Sequence, residues 1–85
     1  MKYRVVLSRR AYRTLETLDK TVRKRIVEKL DELGDNPYPR GCIKIHEKND
    51  IYRIRVGDYR VLYKIDNKQT TILIIKIDHR ETVYR

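Results

Sequence analysis

Tryptophan and phenylalanine are absent from this 85-residue sequence, and tyrosine, at seven positions, is its only aromatic. A core must therefore be built from Ile, Val and Leu, and hydrophobic residues at 40% of the chain suffice for a folded protein. Cys42 is the only cysteine, so no internal disulfide forms, a secreted disulfide-stapled scaffold is excluded, and the cytoplasm is the expected compartment. No apolar run approaches the roughly 20 residues of a membrane span, and the opening MKYRVVLSRR is too briefly apolar for a signal peptide; no membrane partner is expected. CxxC, HExxH, glycine-rich phosphate-loop and GxSxG motifs are all missing, which leaves metal, nucleotide and serine-nucleophile readings without support and implies no cofactor. His46 and His79 are too far apart in sequence to imply a shared metal. A chain this short has no material for a second core, so one domain over residues 1–85 is expected.

What is abundant is charge. Lys plus Arg total 21 against 12 Asp plus Glu, a formal +9, and charged residues make up 39% of the chain. Dense ionic residues with few Asn or Gln lean towards a thermophilic source. The positive excess is spread through both halves, so it belongs to a folded surface, and nucleic acid is the first partner it suggests.

Residues 3–7, YRVVL, read as a first strand, with Ser8 placed to cap a helix in which Ala11, Leu15 and Leu18 form one apolar stripe. Asp19 is a plausible cap for a second helix carrying Val22, Ile26, Leu30 and Leu33 on one face with Val27 beside them, closed by Gly34 and Pro37. From residue 42 the period switches to two: CIKIHE, IYRIRV, YRVLYKI and TTILIIKID are strand candidates separated by turn residues. Connections this short force antiparallel pairing. The expected fold is α+β, in the order β-α-α-β-β-β-β, with a helical hairpin on one face of a twisted, mainly antiparallel sheet and the other face open at least in part.

The open face carries the chemistry. Arg53 and Arg55 alternate with Tyr52, Ile54 and Val56, and the Gly57-Asp58 turn brings Arg60 towards Arg55, with Leu62 and Lys64 on the same face as Arg60. Cations gathered on one stretch of sheet repel one another unless an anion lies between them. Metal-free RNA cleavage needs a base for the 2′-OH, an acid for the 5′-oxygen and cations that hold the phosphorane; Arg53, Arg55, Arg60, Arg80 and Tyr84 cover much of that list. Tyr84 serves as acid or base only if nearby guanidinium charge lowers its pKa from roughly 10. Spacing alone better suits arginines that solvate a sheet and a tyrosine that packs against it. The run Arg23-Lys24-Arg25 reads as a solvated helix face that can add phosphate contacts.

GDYRVLYKI at 57–65, preceded by YRIRV at 52–56 and followed by HRETVYR at 79–85, resembles the RelE branch of the RelE/ParE superfamily of toxins from toxin–antitoxin systems. The opening strand, the two helices and the DNPYPRG loop fit the same pattern. The resemblance implies a small toxin that enters the ribosomal A site, cuts messenger RNA there without a metal to leave a 2′,3′-cyclic phosphate, and is held inactive by a cognate, RelB-like antitoxin. It assigns Arg60 and Arg80 to the scissile phosphate and Tyr84 to positioning or proton transfer, and its basic strand pair falls on Arg53 and Arg55; beside these assignments, Arg53, Arg55, Lys64 and His79 are expected to contact the RNA. Familiar members carry lysines at the strand pair. Arginine stays protonated, so Arg55 is a good clamp and a poor general acid, and His79, which titrates in the right range, is an alternative proton source. Two further readings share this fold: a ParE-like inhibitor of DNA gyrase acting by protein binding, and a non-catalytic RNA-binding module.

Overall fold

The structure, a computed structural model, describes residues 2–46 and 49–79. Its elements are β1 Arg4–Leu7, α1 Arg9–Thr17, α2 Lys20–Asp35, β2 Ile43–His46, β3 Ile51–Val56, β4 Tyr59–Asp66 and β5 Thr71–His79. They form one five-stranded sheet in the order β1-β5-β4-β3-β2. The three pairs joined by short turns are antiparallel, as expected, and β1 closes the sheet in parallel against β5. No short turn links these two strands, so nothing forces them to be antiparallel. Among the described residues no helix is long and apolar enough to cross a membrane.

Both helices start where the caps are expected. The Ser8 hydroxyl accepts from the Ala11 amide at 3.0 Å, and the Asp19 carboxylate accepts from the Thr21 amide at 3.2 Å. Ala11 and Leu15 of α1, and Ile26, Leu30 and Leu33 of α2, are buried against Ile54, Val61, Tyr63, Ile65, Ile72, Ile74 and Ile77 of the sheet. Val27, expected beside the α2 stripe, is 40% exposed. Gly34 does not end α2 by a left-handed turn; it lies inside the helix, where its carbonyl accepts the Tyr3 amide at 2.7 Å. A Cβ there would stand 3.0 Å from the Tyr3 carbonyl oxygen, so the missing side chain is what lets β1 approach.

Two bulges interrupt the alternation of the sheet. On β5 the register passes from Tyr63↔Ile74 to Leu62↔Lys76, leaving Ile75 as the extra residue. Ser8 is tied to this place: its amide donates to the Ile74 carbonyl at 2.9 Å and its hydroxyl to the Ile75 carbonyl at 2.6 Å. On β2, Ile45 is skipped between Lys44↔Tyr52 and His46↔Ile51. Gly57, at φ 60° in the first central position of the β3–β4 turn, has the backbone that a type II′ hairpin requires.

Candidate nucleic-acid interface

The helices cover one face of the sheet, and the charged residues of β3, β4 and β5 lie on the other. Strand registry arranges them in two adjacent rungs. The first runs Arg55, Arg60, Asp78; the second runs Ile43, Arg53, Leu62, Lys76. The expected proximity of Arg55 and Arg60 is thus a direct cross-strand pairing. Ile45, Arg53, Arg60, Leu62, Lys76 and Asp78 line a cavity of about 220 Å³ on this face. Its chemistry is mixed: guanidinium and ammonium groups surround a floor containing Ile45 and Leu62, and the Lys76 ammonium stands 3.2 Å from the Asp78 carboxylate.

Such a site suits a phosphodiester. Planar guanidiniums can donate to phosphate oxygens in pairs, and the Asp78 carboxylate holds the Lys76 ammonium in place. Burial on the side away from the helices is partial, so charge here acts at an effective dielectric well below that of water while remaining accessible.

A second cavity, of about 230 Å³, opens at the edge of the sheet beyond the first residue of β2. Lys29 of α2, Arg40, Gly41, Ile43, Arg53, Ile54 and Arg55 line it. Arg53 therefore belongs to both cavities. Lys29 also contacts the exposed Glu32 at 3.5 Å.

Tyr63 supports this region from the core. Its hydroxyl donates to the Pro37 carbonyl at 2.8 Å in a buried hydrogen bond, and Tyr52 stacks on its ring at 5.9 Å between centroids. Burial, with the Cys42 thiol beside it, pushes the Tyr63 phenol well above its usual range, so it remains a neutral donor. Tyr38 meets Tyr52 edge-on at 5.3 Å, and the Cys42 amide donates to the Pro39 carbonyl at 3.1 Å across a turn in which Gly41 adopts φ 91°. Cys42 itself packs against the core. The loop that carries Arg40 is thereby held from three sides.

Of the residues expected from sequence, Arg53, Arg55 and Arg60 come together. Lys64 shares their face but sits four residues, about 13 Å, along β4 from Arg60, beside Asp66 and Asn67. His79 is placed on the opposite face from Asp78, its ring edge-on to Tyr59 at 5.0 Å. The geometry therefore does not bring His79 onto the face that carries Arg53, Arg55 and Arg60. Arg80 and Tyr84 lie outside the described residues. Sequence reasoning missed Lys76 and Asp78. Strict alternation from the buried Ile72 and Ile74 puts both on the helix side, and only the bulge at Ile75 returns them to the charged face.

A family model described as the ParE toxin of type II toxin–antitoxin system, parDE, matches residues 5–84. Toxin RelG of Mycobacterium tuberculosis is 34% identical over 86 residues, covering all of this chain and 99% of its own length. Putative toxin RelE1 of Methanocaldococcus jannaschii is 31% identical over 88 residues, covering all of this chain and 98% of its own length. Among solved structures, the archaeal RelE-RelB complex from Pyrococcus horikoshii OT3 contains a chain that superposes with a TM-score of 0.85 at 36% identity, over 94% of this chain and 97% of that one.

Proposed function

Because the chain belongs to the RelE/ParE family of type II toxin–antitoxin toxins, we propose that its charged sheet face is the active site of a ribosome-dependent endoribonuclease that cuts messenger RNA. The observation that carries this reading is the pair of rungs that brings Arg53, Arg60 and Lys76 around one cavity with a single carboxylate, Asp78, and sets Arg55 directly across from Arg60.

In this reading the RNA's 2′-OH attacks the neighbouring phosphorus, the P–O5′ bond breaks, and the products are a 2′,3′-cyclic phosphate and a 5′-OH. Negative charge grows on the non-bridging oxygens as the phosphorane forms. Arg60, with Arg53 and Arg55 beside it, is positioned to hold that charge, a contribution that usually amounts to about a hundredfold or more in rate for one donor. Arg80 would add to the clamp. Guanidinium does not release its proton near neutral pH, so proton transfer falls to another group, and Tyr84 is the proposed one. Asp78 keeps Lys76 in position and stops the face from becoming uniformly repulsive.

A RelB-like antitoxin is the proposed partner, because the similar archaeal toxin is found in a RelE-RelB complex. An acidic segment laid over these cations would mask them and speed association. The cytoplasm, where ribosomes and messages are found, is the proposed compartment.

Inducing the chain in growing cells and mapping the 5′ ends of messages tests the reading. Codon-phased cuts that appear only in translated regions are expected; intact messages with continuing translation would rule it out. The family model's ParE description favours a second reading, inhibition of DNA gyrase. A supercoiling assay with purified protein separates the two, since only the second predicts loss of gyrase activity.

A further inference from the structure

We infer that the edge cavity lined by Lys29, Arg40, Arg53 and Arg55 seats the phosphate next to the scissile one, making Lys29 and Arg40 substrate-positioning residues of the same RNA path. The inference rests on the endoribonuclease reading and extends it to a second subsite.

Three observations carry it. The cavity's ionisable lining is wholly cationic: Lys29, Arg40, Arg53 and Arg55 converge on about 230 Å³ with no carboxylate among the lining residues. The first cavity, in contrast, contains the Lys76–Asp78 ion pair. Four like charges in one concavity are stabilised by an anion, and Glu32 reaches Lys29 only at 3.5 Å from an exposed position, a contact easily exchanged.

Second, the two cavities share Arg53. One side chain that reaches both makes the cavities immediate neighbours, so phosphates on either side of Arg53 fit consecutive linkages of one strand better than two unrelated ions.

Third, Arg40 is held on a rigid support. Its turn is closed by the Cys42 amide on the Pro39 carbonyl, Gly41 takes the left-handed φ of 91°, and the buried Tyr63 hydroxyl anchors Pro37 three residues earlier. A fixed turn presents a guanidinium with less ordering cost than a mobile loop does.

The test is a cycle between protein and substrate. Cleavage by the full chain on programmed ribosomes is measured with messages in which the linkage on one side of the cut, then the other, is a neutral methylphosphonate. With the unaltered chain, one of these substitutions is expected to raise half-saturation about tenfold, the usual scale of one charge-assisted contact, while leaving the maximal rate nearly unchanged. In the Arg40→Ala/Lys29→Ala variant the same substitution should have little further effect, and this non-additivity identifies the contact. Lys68→Ala, on the β4–β5 turn, should retain the full methylphosphonate effect. Full additivity on both sides overturns the inference while leaving the nuclease reading intact. So does loss of antitoxin affinity in the double variant with an unchanged response to methylphosphonate, which would assign the cavity to the protein partner. Absence of cleavage by the unaltered chain overturns both.

Discussion

Arg55 and Arg60 are direct cross-strand partners on the uncovered face of the sheet, one pair removed from the Gly57-Asp58 turn. Two guanidiniums at opposed positions oppose folding, by a few tenths of a kcal/mol to about 1 kcal/mol for like charges facing each other in a sheet. In the endoribonuclease reading, the phosphate of the bound RNA offsets this repulsion. Arg55→Thr is therefore expected to raise thermal stability at low salt and to weaken RNA cleavage. The stability gain should shrink as salt screens the repulsion, which melting curves at several ionic strengths will show.

Arg60→Ala is expected to lower the single-turnover cleavage rate by about a hundredfold or more with the fold retained. Arg60→Lys should recover only part of this, because an ammonium keeps the charge and loses the paired donor geometry. Circular dichroism alongside the cleavage assay separates catalysis from folding.

Tyr63→Phe leaves the Pro37 carbonyl without its buried donor and is expected to destabilise the protein by about 1–3 kcal/mol. The raised phenol pKa adds a pH signature. Below pH 10 the phenol is protonated in both folded and unfolded chains and contributes no slope. Above about pH 10 only the unfolded chain releases the proton, so stability falls by about 1.4 kcal/mol for each pH unit until the folded state titrates as well. Denaturant titrations from pH 9 to 11.5 should show this extra slope in the unaltered protein and not in Tyr63→Phe.

Gly34→Ala tests the close approach of β1 to α2. Alanine is the better helix former by about 1 kcal/mol, but its Cβ would press on the Tyr3 carbonyl at 3.0 Å, and the Tyr3 amide is itself bonded to the Gly34 carbonyl. Net destabilisation of about 1–2 kcal/mol is expected, within the usual range for overpacking. Equilibrium unfolding measures it, and a stabilised variant would show that β1 can move away freely.

At Gly41 the expectation has a different cause. No atom lies within 4 Å of an added Cβ, so Gly41→Ala is penalised only by its φ of 91°, by about 1–2 kcal/mol. Gly41→Asn should be less costly, because asparagine tolerates left-handed backbone better. Chemical denaturation of the two variants ranks them.

The helices were legible because their information is local. Ser8 and Asp19 cap within three residues, and the stripes of Ala11 with Leu15 and of Ile26, Leu30 and Leu33 repeat at the helical period. The antiparallel strands were legible for the same reason, since their short turns leave no other pairing. So were three members of the site, Arg53, Arg55 and Arg60, because one two-residue turn fixes how β3 and β4 align. Arg80 and Tyr84, also drawn from the sequence, lie outside the described residues.

Tertiary structure decided the rest, chiefly through one residue. The segment ILIIKIDH obeys no single alternation, and the choice of where to break it belongs to neighbouring strands and not to β5. With Ile75 set aside as a bulge, and its carbonyl bonded to Ser8, Ile72, Ile74 and Ile77 all reach the core. Burying the third isoleucine turns Lys76 and Asp78 to the charged face and His79 to Tyr59. The edge cavity likewise depends on a helix, a loop and a strand that are distant in sequence meeting at one point. The sequence by itself determined which residue types and which local elements were available. Only the packing of β5 against the helices decided which of its charges lie on the uncovered face of the sheet, because hydrophobic burial of the isoleucines outweighs strict strand periodicity.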